Sequence, residues 1–151
     1  MYKILFVCHG NICRSPMAEF VMKDIVAKAG KSDEFYIASC ATSTEEIGNP
    51  VHHGTRRKLA EVGISCDGKR AVQLTKSDYN KYDYIIAMDE MNIKNIMRII
   101  KSDPECKVSL LLSHAGMSGS IADPWYTGNF DDTYRDVLLG CKALFNEIVS
   151  K

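Results

Sequence analysis

The sequence carries no surplus of charge: nineteen Lys plus Arg balance nineteen Asp plus Glu. A nucleic-acid binder working through a broad basic face needs a cationic excess, so that class is excluded and any anion must be held by a local site. Long apolar stretches are missing too. The longest reach about five residues against the ~20 that cross a bilayer, so no membrane partner is expected. The amino terminus runs straight into Ile4-Leu5-Phe6-Val7, without the cleavage pattern of a secretory signal. No Cys-x-x-Cys pair occurs among the cysteines at 8, 13, 40, 66, 106 and 141, and no histidine cluster lies near two of them. We therefore expect no structural zinc site; no cofactor is expected either. Free thiols in a reducing cytoplasm follow, most of them small core residues.

What is present is the alternation of an α/β protein. At 151 residues, 46% hydrophobic and 25% charged, the chain reads as one domain over 1–151, expected as a monomer. Residues 2–7 form a buried strand and 8–14 a loop. A helix starts at Ser15-Pro16, with Ser15 as N-cap and Pro16 in the first helical position. Ala18, Val21, Met22, Ile25 and Ala29 share its inner face, Glu19, Lys23 and Lys28 fall outside it, and Gly30 stops it. Further strands are expected at 35–38, 84–88 and 108–112, with helices near 52–62 and 90–101 and a short one capped through Thr75 and Asp78. A long loop covers 113–129, and Tyr134, Val137, Leu138, Cys141, Phe145 and Ile148 mark the inner face of a final helix. This order implies three layers, a four-stranded parallel sheet with helices on both faces. Ligands of such sheets bind beyond the carboxyl ends of the strands.

The loop leaving the first strand, Cys8-His9-Gly10-Asn11-Ile12-Cys13-Arg14-Ser15, stands at such an end. Six cysteines and six arginines produce a Cys-x5-Arg match by chance roughly 0.24 times, and roughly 0.03 times with Ser or Thr next. A strand-to-helix loop turns backbone N–H groups inward as an anion nest, and the helix dipole adds to it. Arg14 can grip two phosphate oxygens with its planar fork. Gly10 and Asn11 suit positive φ. Cys8 lies at the floor of the cradle, where its thiolate is favoured. Ser15 can donate its hydroxyl hydrogen to that sulfur.

Thiolate attack on phosphorus needs a proton for the leaving oxygen, and carboxylates are natural donors. Asp123-Pro124 stands in the long loop after the fourth strand, with Trp125 and Tyr126 next to flank an aryl group. Asp103-Pro104 is a second copy of a common turn dipeptide. His52-His53 invites a metal reading, but neighbours on a helix point apart, so a solvated surface is expected. Arg56-Arg57-Lys58 reads as a solvated helix face, and Met88, Met91 and Met97 as core.

Val7-Cys8-x-Gly10-Asn11-Ile12-Cys13-Arg14-Ser15-Pro16 resembles the amino-terminal signature of the low-molecular-weight protein tyrosine phosphatases. Ser39-Cys40-Ala41-Thr42-Ser43, Ile47-Gly48-Asn49-Pro50, Met88-Asp89-Glu90 and Asp123-Pro124-Trp125-Tyr126 match that family's later blocks. The resemblance spans nearly the whole chain. It implies a flavodoxin-like sheet and metal-free hydrolysis of phosphotyrosine and aryl phosphates through a phosphocysteine, with phosphate and vanadate as inhibitors. On it, Cys8 is the nucleophile, Arg14 the oxyanion clamp and Asp123 the general acid and base. Residues 9–15 bind phosphate through His9, Gly10, Asn11, Ile12, Cys13, Arg14 and Ser15. Asn11, Ser15, Ser39 and Asp89 shape the loop, and Glu45, Trp125 and Tyr126 line the substrate pocket.

Two departures stand out. Glu45 occupies a rim position that is often aromatic in the family, and Lys69 stands where a histidine usually joins the loop-shaping network. Related branches offer rival activities. Arsenate reductases need two further cysteines near the third strand's end, absent from Ala87-Met88-Asp89-Glu90-Met91-Asn92, and arginine-phosphate phosphatases carry Thr in place of Ile12. A passive phosphate-binding module or thiol switch would need no proton donor such as Asp123. Cys13 reads either as loop packing or as a resolving thiol that captures oxidised Cys8.

Overall fold

The computed structural model describes residues 1–151. Four parallel strands, β1 (Tyr2–Cys8), β2 (Phe35–Ala41), β3 (Tyr84–Ala87) and β4 (Val108–Leu110), form one sheet in the order β2-β1-β3-β4. Helices α1 (Arg14–Lys28), α2 (His53–Glu61), α3 (Asp78–Lys81), α4 (Glu90–Ile100), α5 (Pro124–Thr127) and α6 (Phe130–Val149) complete the chain with two 3-10 turns, Ser32–Glu34 and Leu111–Ala115. This is the three-layer α/β architecture expected from the alternation.

The central strand shows why its sequence is a continuous apolar run. Ile4, Phe6 and Cys8 face the cluster built by α1, α2 and α6, whereas Leu5 and Val7 face the cluster built around Tyr79, Ile85 and Ile96. Both faces are buried, so no polar alternation survives. The two clusters hold the carboxyl end of β1 rigid under the loop that follows.

Four local expectations are corrected. Ser15 does not cap α1: the helix starts at Arg14 with Cys13 at the N-cap and no side-chain capping bond, because the Ser15 hydroxyl is engaged with Cys8, Asn11 and Cys40. β4 is shorter than 108–112. Ser113 Oγ donates to Leu110 O at 2.6 Å, and Leu111 turns into the core against Gly140. A Cβ on Gly140 would stand 2.5 Å from Leu111 Cγ. The 113–129 loop contains α5, with Pro124 in its first turn and the Asp123 side chain accepting from Trp125 N at 3.0 Å. Met88 is core, but Met91 is 57% exposed. The inner face of α6 also includes buried Leu144, beyond the residues expected. Asp103 is structural, accepting from Tyr79 Oη, Lys107 N and Val108 N to tie the start of β4.

Candidate active site

β1 delivers Cys8 to the sheet's carboxyl edge, and the chain turns back at once into α1. Asn11 makes the turn with φ 58°, a conformation that Asn tolerates better than most residues. Gly10 does not adopt positive φ, contrary to expectation. A Cβ there would meet Glu46 Cγ at 3.4 Å, an ordinary contact, so neither backbone conformation nor crowding requires glycine at this position. Three groups converge on Cys8 Sγ: Ser15 Oγ at 3.0 Å, Asn11 N at 3.3 Å and Ser15 N at 3.4 Å.

The direction of the hydroxyl bond follows from Asn11. Val72 N donates to Asn11 Oδ1 at 3.2 Å, which fixes the amide's orientation. Asn11 Nδ2 then spends both hydrogens, on Ser15 Oγ at 2.8 Å and Ser39 Oγ at 2.9 Å. Ser39 Oγ passes its own hydrogen to Glu19 Oε1 at 2.5 Å. The Ser15 hydroxyl, already accepting from Asn11, has one hydrogen to give, and Cys8 Sγ at 3.0 Å lies closer to it than the Cys40 carbonyl oxygen at 3.4 Å.

Arg14 is buried beneath the same loop. Its Nη1 donates to Asp89 Oδ2 at 2.6 Å and to Ile121 O at 3.0 Å, and its Nη2 reaches Asp123 Oδ2 at 3.5 Å. Burial opposes its charge, but Cys8, Asp89 and Asp123 outweigh burial and hold the guanidinium more firmly protonated than usual. Asp89 is itself locked in a capping box at the start of α4. Its Oδ1 accepts from Asn92 N at 2.7 Å, and Asn92 Oδ1 accepts from Asp89 N at 3.1 Å.

Cys8, Arg14 and Asp123 line one cleft of about 230 Å³, with Glu45, Trp125 and Tyr126 around it. His9, Gly10, Ile12, Cys13 and Glu46, the last not singled out from the sequence, complete its lining, whereas Asn11 and Ser15 support it from beneath. Trp125 and Tyr126 are 57% and 83% exposed, so an apolar wall faces solvent. Glu45 Oε2 lies 3.0 Å from His9 Nε2 on the rim.

The low molecular weight phosphotyrosine protein phosphatase family model matches residues 3–151. The chain belongs to that family. It is 39% identical over 150 residues to the low molecular weight protein-tyrosine-phosphatase YfkJ of Bacillus subtilis, covering 98% of this chain and 96% of that one. The crystal structure of YfkJ superposes with a TM-score of 0.95. SP-PTP, the low molecular weight protein tyrosine phosphatase of Streptococcus pyogenes, superposes at 0.90 with 45% identity, over 100% of this chain and 95% of that one. The mouse low molecular weight phosphotyrosine protein phosphatase is 38% identical over 149 residues, 95% of this chain and 94% of that one. The flavodoxin-like fold of this phosphatase and its cysteine-based chemistry follow from that membership.

Two groups escaped the sequence reading. Glu19, expected outside the buried face of α1, is only 4% exposed. It accepts from Ser39 and from Lys23 Nζ at 2.6 Å, and Lys69 Nζ stands 3.6 Å away. Its signal was its place four residues after Ser15, on the same helix stripe. His52 is not a solvated surface residue. Its backbone N–H donates to Ile12 O at 2.9 Å, and its ring stacks on Phe130 and meets Trp125 edge-on, each at 5.5 Å between centroids. Burial, with His53 and Arg56, holds its pKa below the usual value, and neutral Nδ1 accepts from Gly54 N at 3.1 Å. His52 therefore ties the loop between β1 and α1 to the loop bearing Asp123.

Proposed function

We propose that this phosphatase removes the phosphoryl group from phosphotyrosine and aryl phosphates by two displacements at Cys8. In the first, Cys8 Sγ attacks phosphorus as the phosphorus–oxygen ester bond breaks, and protonated Asp123 gives its hydrogen to the leaving phenolate. In the second, water attacks the phosphocysteine, Asp123 takes its proton, and the thiolate leaves with phosphate released. The observation that carries this reading is the convergence of Cys8, Arg14 and Asp123 on one cleft, with three donors on the sulfur.

Arg14 has an arrangement suited to a clamp. Asp89 and Ile121 O fix one arm, whereas the contact of the other arm with Asp123 is long at 3.5 Å. A phosphoryl oxygen competes well for that arm and frees Asp123 to face the leaving oxygen. The loop N–H groups and Ser15 hold the phosphoryl group and the departing sulfur, and Trp125 with Tyr126 flanks the phenyl ring. Phosphate and vanadate occupy the same cradle as inhibitors. No step calls for a metal. The six free thiols support a reducing, cytoplasmic setting.

The test is hydrolysis of p-nitrophenyl phosphate and a phosphotyrosine peptide with EDTA present, alongside phosphoserine, phosphoarginine and arsenate. Turnover of the two aryl substrates alone, lost in Cys8→Ser, is expected. Preference for phosphoarginine or arsenate would overturn the reading.

A further inference from the structure

A second cleft, of about 310 Å³, lies across His9 from the first. His9, Thr42 and Ser43 line one side, and Asn95, Arg98 and Ile99 of α4 the other. His9 lines both clefts, so one side chain separates them. The two differ in charge. Glu45, Glu46 and Asp123 border the first, whereas no carboxylate borders the second and Arg98 supplies a cation.

Two observations mark the second cleft as more than a surface crease. Arg98 donates to Asn95 Oδ1 at 2.9 Å, but no carboxylate stands within ion-pair distance of it. Thr42 Oγ1 is the one buried side-chain polar atom in the chain with no hydrogen-bond partner. Leaving such a hydroxyl unpaired is unfavourable, and native chains keep few such groups. Its residue borders this cleft, next to the β1 carboxyl edge, where Thr42 N donates to Cys8 O at 3.0 Å.

We propose that this cleft is a subsite for an Asp or Glu side chain close to the phosphotyrosine of a substrate peptide. Arg98 supplies the charge, and the Thr42 hydroxyl, after rotating about χ1, supplies a hydrogen-bond donor. An extended peptide advances ~3.3 Å per residue, so a residue within three positions of the phosphotyrosine spans the width of His9. Glu45 and Glu46 repel an acid on the opposite side. The enzyme therefore selects acid on one flank of the phosphotyrosine and disfavours it on the other. This inference rests on the reading of the first cleft as a phosphotyrosine site.

The test uses phosphotyrosine peptides with a single Glu, or Gln as control, at each of the three positions before and after the phosphotyrosine. Wild type should show one position where Glu lowers KM about three- to five-fold relative to Gln, the size of an exposed ion pair. The preference should vanish in 0.5 M salt and in Arg98→Ala, and Arg98→Glu should favour Lys there instead. Thr42→Val should weaken it. Both Arg98 variants should hydrolyse p-nitrophenyl phosphate as wild type does. Equal KM values for Glu and Gln everywhere, or a preference that survives Arg98→Ala, overturn the subsite. Failure of wild type on p-nitrophenyl phosphate would instead overturn the reading of the first cleft.

Discussion

Lys69 Nζ donates to the Ser39 carbonyl oxygen at 2.8 Å, on the same residue whose hydroxyl Glu19 receives. A lysine thus closes, through charge and through Glu19, a network in which the family usually places a histidine. The chain Glu19–Ser39–Asn11–Ser15–Cys8 fixes where each hydrogen points, ending on the sulfur. Removing Lys69 as Lys69→Met leaves Glu19 with the Ser39 hydroxyl and with Lys23 as its one remaining cation. The charged hydrogen bond to Ser39 O is lost, so stability should fall by ~1.5 kcal/mol in urea unfolding. The kcat for aryl phosphates should fall more than KM rises, because the loop still forms but its hydrogens are less ordered. Unchanged stability with unchanged kcat would show that the pair is ornamental.

Asp123→Asn should slow phosphotyrosine hydrolysis by ~10²–10⁴-fold. Aryl phosphates with acidic phenols should suffer less, since their leaving groups need no proton. Equal losses on both would show that Asp123 only holds α5, through its bond to Trp125 N, in place.

Cys13 is 4% exposed, and its thiol is pushed up to about 12 by burial and by the neighbouring Cys8 and Asp123. Its thiolate is scarce near neutrality, so capture of peroxide-oxidised Cys8 as a Cys8–Cys13 disulfide should speed up ~10-fold per pH unit between pH 7 and 10. Added thiol should restore activity to wild type. Cys13→Ser should instead be lost irreversibly under the same dose. Recovery of Cys13→Ser as full as that of wild type would remove Cys13 from any protective role.

Buried thiols should also lower the stability of the fold in alkali. Burial raises the pKa of Cys141, and Cys13 and Cys40 are raised as well. A raised folded pKa leaves stability intact below the unfolded thiol value of ~8.5. Above it the unfolded chain loses protons that the folded one keeps, and stability falls. Each such thiol removes up to ~1.4 kcal/mol per pH unit. Cys141→Ala should make the decline between pH 8 and 10.5 shallower by about one proton, although its stability at pH 7 is lower. An identical slope in the two proteins would contradict the assignment.

The strand, turn and helix around Cys8 were legible because their signals are local: a run buried on both faces, Asn in the turn and an arginine at fixed spacing. Glu19 was not, since helix periodicity sorts a carboxylate to solvent. Only Ser39, Lys69 and Lys23, two of them from distant segments, make its burial favourable. His52 was misread for a related reason. At ψ 141° it is an extended N-cap residue outside the helix, so its ring can stack on His53 with centroids 4.3 Å apart. The end of β4 depends on how closely Gly140 lets Leu111 approach, which no pattern within 108–112 records.

The central claim is that the phosphoryl group passes through Cys8 sulfur. Rapid acid quench of the enzyme during turnover of an aryl phosphate, followed by peptide mapping by mass spectrometry, tests it directly. The account predicts one phosphoryl group on the peptide containing Cys8, formed in a burst with the phenol and absent from Cys8→Ser. A phosphoryl group on another residue such as His9, or steady turnover by Cys8→Ser, would contradict it.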